Sequence, residues 1–172
     1  MRIAKIVRSV PFAKVERGSV VRFFVDLKLC TGMKVYSAQG KTEKEGMLFL
    51  TDHPSYPLGS VAFPVETTSP PWNPDLMLEF CDAVLLIKDF THISAATDTP
   101  PNVKSLTLHL DGKTLFLSKT SEVRPQYVDM ESGEIFPPTD KGPRPSLVVS
   151  EWAISTEKAK ATLVEFPDRA TS

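Results

Sequence analysis

Apolar and polar residues alternate along much of this chain, and nowhere more regularly than over 22–29. There Phe23, Val25, Leu27 and Leu29 fall on one side of an extended backbone, and Arg22, Phe24, Asp26 and Lys28 on the other. A period of two marks a strand with one covered and one open face. The pattern predicts a central strand over about 20–30, a turn at Thr31-Gly32, and a return strand in which Met33 and Val35 alternate with Lys34 and Tyr36. A first strand is expected over 3–7. Residues 47–50, all apolar, read as a short strand covered on both faces.

Val61, Phe63 and Val65 repeat the alternation, as do Leu106, Leu108 and Leu110 before a hairpin turn at Asp111-Gly112. A second hairpin is expected over 127–136, turning at Ser132-Gly133, and two last strands over 147–154 and 159–166.

One stretch changes period. Asn73 suits a helix N-cap, Pro74 the first helical position, and Asp75 the positive end of a helix dipole. Leu76, Phe80, Ala83, Val84 and Ile87 then recur at helical spacing, with Asp75, Glu79 and Asp82 facing away. The spacing predicts an amphipathic helix over about 74–89. The expected fold is therefore α+β: mostly antiparallel β-sheet with that one helix packed on it. No internal repeat is visible.

The 172 residues suffice for a single domain over 1–172, with two lobes (1–93, sheet plus helix; 102–166, hairpin-rich) as the other division. Fifteen prolines, above the usual ~5% share, cluster between the strands as punctuation. No apolar run reaches the ~20 residues of a membrane helix, and the start has no signal-peptide pattern. Cys30 and Cys81 read as free thiols unless the fold brings them together. A cytoplasmic protein without membrane contact is expected.

The net charge of −1 conceals two blocks. Residues 1–46 hold ten Lys/Arg against four Asp/Glu, a net of +6; residues 47–99 hold one Lys against seven Asp/Glu, a net of −6. This asymmetry points either to a polyanion-binding face or to a basic sheet neutralised by an acidic helix.

Element order adds a resemblance. Ile3 to Arg8, Val21 to Tyr36, Gly46-Met47-Leu48-Phe49-Leu50 leading to Pro54-Ser55, Val61 to Pro64 and the helix near Asn73 follow one another as in the family of the sporulation regulator SpoVG. The chain resembles that family over about its first ninety residues. The resemblance implies a small nucleic-acid-binding regulator that dimerises through its sheet. The helix is acidic here, and residues beyond 94 have no counterpart in the family.

Candidate chemistry is sparse. His53, His92 and His109 share no ligand spacing with each other or with the cysteines, so neither a metal site nor a cofactor is indicated. His53 beside Asp52 reads as part of a turn or as an oriented imidazole. Asp129, Glu131 and Glu134 surround a turn, and Ser150-Glu151-Trp152 lacks a glycine elbow. Trp72 is either a loop contact or a staple holding the loop to the helix.

The fullest pattern is Arg22, Phe24 and Lys28 with Lys34 and Tyr36, cations interleaved with aromatics as single-stranded DNA or RNA requires. The leading expectation is a non-enzymatic nucleic-acid-binding protein using those five residues. The alternative is a protein-interaction module, a subunit or inhibitor or homodimer, that pairs through an exposed strand edge.

Overall fold

The computed structural model describes residues 7–38, 43–64, 70–92, 106–108, 112–120, 125–136 and 147–167. Among them lie thirteen strands in one mixed sheet, and the one helical segment is a 3-10 turn at Phe12–Lys14. The expected first strand over 3–7 falls mostly outside the described residues, where β1 begins at Val7 (Val7–Val10).

The expected helix is not formed. Residues 74–89 instead supply β6 (Met77–Phe80) and most of β7 (Ala83–His92), joined through Cys81 and Asp82. Asn73 does bond the amide two residues on, its Oδ1 accepting from Asp75 N at 3.0 Å, but the chain then turns instead of coiling. Pro74 O accepts from Phe12 N at 2.7 Å, outside any helical ladder. The apolar run fits either period, and its neighbours decide: Met77 and Glu79 are buried between strands while Leu76 and Leu78 face out. The fold is thus a nearly all-β mixed sheet, not α+β.

The central strand is also broken where alternation ran on. β2 (Val20–Val25) and β3 (Lys28–Ser37) form a hairpin, with Val25 paired to Lys28 and Phe24 to Leu29. Asp26 and Leu27 form its two-residue turn, both at positive φ (46° and 69°), as turns matched to strand twist require. Thr31 and Gly32, expected to turn the chain, lie inside β3.

A repeat invisible in the residues appears in the connections. β2, β3, β4 (Lys44–Phe49) and β5 (Ser60–Ala62) form an antiparallel meander, and β6 returns to pair with β2. β8 (Leu106–Leu108), β9 (Thr114–Thr120), β10 (Pro125–Asp129) and β11 (Glu134–Phe136) form a second meander, and β12 (Leu147–Thr156) returns to pair with β8. The two units join by two parallel pairings, β11 with β3 and β5 with β9, which close β3-β4-β5-β9-β10-β11 into a ring.

The burial pattern follows the same symmetry. Val20, Met33, Val35, Leu48 and Val61 of the first unit meet Leu106, Phe116, Val128, Ile135 and Trp152 of the second in one shared core. The opposite faces make separate cores: Val21, Phe23, Cys30, Met47, Phe49 and Trp72 in the first unit, and Leu115, Leu117 and Tyr127 in the second. Residues 47–50 are buried on both faces, as their unbroken apolarity predicts. Gly18 and Gly133 allow the units to touch at the edge of β3. Both have positive φ (79° and 76°), and a Cβ on Gly133 would sit 2.6 Å from Lys34 O.

Outside the units, β1 pairs with β6, while β7 and β13 (Thr162–Phe166) flank β12. Among the described residues no helix is long and apolar enough to cross a membrane.

Candidate functional site

The hairpin turn at Asp26-Leu27 divides the five residues expected to bind nucleic acid. Paired residues of an antiparallel ladder share a face. Arg22 and Phe24 therefore lie with Leu29 and Thr31, whereas Lys28, Lys34 and Tyr36 lie on the opposite face with Phe23 and Val25.

Lys34 is 1% exposed. Its ammonium donates to Val15 O (3.0 Å) and Phe12 O (3.2 Å), pairs with Glu45 Oε2 at 2.7 Å, and lies 4.8 Å from the centre of the Phe12 ring. Tyr36 is half-buried beneath the Arg17 guanidinium, 4.4 Å from its ring centre. Lys28 is exposed, its ammonium donating to Asp52 O at 2.8 Å. Arg22 reaches Leu163 O at 3.4 Å and the Phe80 ring. Of the five, Phe24 alone presents an open ring, 50% exposed.

Both loop candidates are interior. His53 is buried in a tight turn: its Nδ1 accepts from Ser55 N at 3.1 Å, and its backbone pairs with Tyr56. Asp52 Oδ1 accepts from Leu58 N at 2.7 Å, so the Asp-His pair is turn chemistry. Trp72 is buried against Phe12, Phe23 and Phe49, with ring centres 5.4, 6.0 and 6.5 Å away, and anchors the core of the first unit. Asp129 likewise holds its turn through the amides of Glu131 and Ser132. Both cysteines are free, Cys30 buried and Cys81 exposed.

An open cleft of about 320 Å³ is lined by Arg8, Glu16, Arg17, Glu131 and buried Glu79 and, along β7, by Ala83, Val84 and Leu85. Glu79 is engaged on every side: Arg8 pairs with it, and the Glu16 amide donates to Oε1 at 3.0 Å. Burial pushes the Glu79 carboxyl up, but Arg8, the Glu16 amide and Ser19 together overcome it and hold the group below the usual carboxylate range. This carboxylate is an ion-pair partner of Arg8. Arg8 also crosses the two charge blocks, but Arg17 pairs with Glu43 and Glu45, and Lys34 with Glu45, all within the basic block.

Among the described residues, two apolar surfaces remain open. The first is a shelf on the β2–β3 hairpin and β6: Phe24, Leu27 (95% exposed at the turn), Leu29, Leu76 and Leu78. The second is β7. It pairs with β12 on one edge, and among the described residues no strand pairs with the other. Ala83, Val84, Leu85, Leu86 and Ile87 follow in regular register opposite Thr156, Ser155, Ile154, Ala153 and Trp152. Leu86 is 44% exposed and Ile87 38%. Beyond them the register shifts at Glu151, and Lys88, exposed Asp89 and the bulge mark the end of the smooth edge.

No protein-family model, curated protein or solved structure matches the chain. Of the element order that carries the SpoVG resemblance, the helix near Asn73 is replaced by β6 and β7.

β7 was not legible as a strand because Ala83, Val84 and Ile87 also fit the helical spacing that predicted a helix over 74–89. The unbroken apolar run from Ala83 to Ile87 was the available signal for a strand, though not for its place at an edge.

Proposed function

We propose that this chain is a non-enzymatic cytoplasmic interaction module that binds an extended segment of a protein partner along the edge of β7. The observation that carries the reading is the five-residue stretch Ala83 to Ile87, apolar throughout, regular in register and paired on one edge. An edge of that kind offers a row of backbone donors and acceptors together with apolar side chains, the two components of strand addition. The apolar shelf around Phe24 offers side chains alone, because β2 is paired on both edges. The free thiols fit a reducing compartment. The expected nucleic-acid set does not converge: its residues occupy two faces, and Lys34 is enclosed.

The test is selection of peptides from a random library on immobilised protein, followed by binding to wild type and Leu86→Lys. A lysine on an exposed edge position opposes strand addition with little effect on the fold. Selected peptides should alternate or run apolar, protect the amides of 83–87 from hydrogen exchange, and lose at least tenfold in affinity to the variant. Equal binding to both proteins, with unchanged exchange at 83–87, would place the interaction elsewhere.

A further inference from the structure

The charges that flank the edge of β7 narrow the partner. An antiparallel pair formed by two copies of one strand has a two-fold axis through its centre, so residue i faces j′ and residue j faces i′. With the axis at Leu85, Ala83 faces Ile87′, Val84 faces Leu86′ and Leu85 faces itself, the primes marking the second copy. All five positions of the run then meet apolar counterparts, the smallest against one of the largest. The next pair outward sets Lys88 opposite Asp82′, and by symmetry Asp82 opposite Lys88′.

Other registers lose this match. An axis one residue later, at Leu86, sets Lys88 against Val84′. An axis one residue earlier, at Val84, sets Asp82 against Leu86′. Like or unmatched neighbours across a ladder weaken it, and opposite charges strengthen it. Asp82 and Lys88 thus bracket the apolar run as a self-complementary code.

Neither charge is fully engaged within one chain. Asp82 Oδ1 is buried without a hydrogen-bond partner among the described residues, and Oδ2, which accepts from Lys158 N at 3.1 Å at the surface, is the oxygen left to accept a second bond. Lys88 Nζ lies 2.5 Å from Glu165 Oε1 on the outer face of the same sheet, and an ammonium has three donors. The net charge of −1 leaves little global repulsion between copies.

Resting on the strand-addition reading, we infer that the partner is a second copy of this chain, joined antiparallel through β7 about a two-fold axis at Leu85. A five-residue ladder lies at the small end of specific interfaces, so the dimer should be in equilibrium with monomer at about micromolar concentration. The two sheets become continuous through the β7–β7′ ladder.

The test is sedimentation equilibrium of the full chain from low micromolar to submillimolar protein. Four proteins are compared: wild type, Lys88→Glu, Asp82→Lys, and the double exchange Asp82→Lys/Lys88→Glu. Each single change should weaken dimerisation at least tenfold, since it faces like charges across the axis twice. The double exchange restores opposite charges and should return the dissociation constant to within about threefold of wild type. A merely structural role of Lys88 with Glu165, or of Asp82 with Lys158 N, would be damaged further by the double exchange and not rescued.

A dimer indifferent to all three changes, or one the double exchange fails to restore, would overturn the assignment of this axis. A chain that stays monomeric but still binds selected peptides at 83–87 would overturn the second copy while leaving strand addition standing. Loss of both would remove the two readings together.

Discussion

Replacing Lys34 by methionine separates a structural lysine from a surface contact. The side chain keeps its length and loses its charge. At 2.7 Å from Glu45, in an effective dielectric of about 20, the pair attracts with roughly 6 kcal/mol. Desolvating the ammonium takes back several kcal/mol of that. Glu45 is one-third exposed, which weakens the pair further by solvent screening. Methionine also leaves Val15 O and Phe12 O without the donor that now reaches them at 3.0 and 3.2 Å. Breaking a buried pair from one side costs about 3–5 kcal/mol, and the solvation of Glu45 favours the lower figure, about 3 kcal/mol. In a chain of this size that lowers Tm by roughly 6–12 °C.

The assay is equilibrium urea unfolding with the slope m compared between proteins, backed by calorimetry. The midpoint should fall with m unchanged. A Lys34→Met/Glu45→Gln cycle should show the two losses overlapping, because each substitution removes the same ion pair. A loss below about 1 kcal/mol for Lys34→Met would refute the claim that this lysine braces β3 against the 3-10 turn.

Two further outcomes follow from local geometry. Leu27 is almost fully exposed at φ 69°, so Leu27→Gly should raise unfolding stability by about 1 kcal/mol. The left-handed cost of ~1–2 kcal/mol is relieved, and ~0.4–1 kcal/mol is returned as unfolded-chain entropy; unchanged or lower stability in urea would contradict this turn. Glu79 and Glu45 both titrate below the usual carboxylate value in the folded chain, burial opposing the shift and their cationic and amide partners prevailing. Their contribution is therefore complete above the unfolded carboxyl pKa of about 4.3 and is lost as pH falls through the lower folded values. Stability measured against pH should decline steeply below about pH 4, and Glu79→Gln should lower neutral stability while flattening that acid limb.

Much of the sheet was legible because alternation is a local property. The run 47–50 declared its double burial, and Ser132-Gly133 declared its turn through the positive φ that glycine adopts freely. The hairpin at Asp26-Leu27 was hidden for a physical reason: aspartate tolerates positive φ but leucine does not favour it, and alternation continues unbroken through the turn. A two-residue turn keeps the parity of the residue count while reassigning every later side chain to the other face. Moving the turn from Thr31-Gly32 to Asp26-Leu27 carried Lys28 to the face of Lys34 and Tyr36, which a two-residue turn at either place sets opposite Arg22 and Phe24.

The stretch 74–89 marks the other boundary of what a sequence decides. Its caps and spacing satisfied a helix, yet a helix of this length is marginal alone and draws its stability from packing. Here β1 and β2 take up both edges of β6, and β12 takes up one edge of β7, so the backbone is bonded as strands. The residues by themselves determined that the chain is β-rich, which short runs are buried, and where several turns fall. Only the tertiary structure decided which face each strand shows, that two units repeat one meander around a shared core, and that the run from Ala83 to Ile87 ends up at an edge. Those depend on pairings between residues far apart in the chain, and no local period records them.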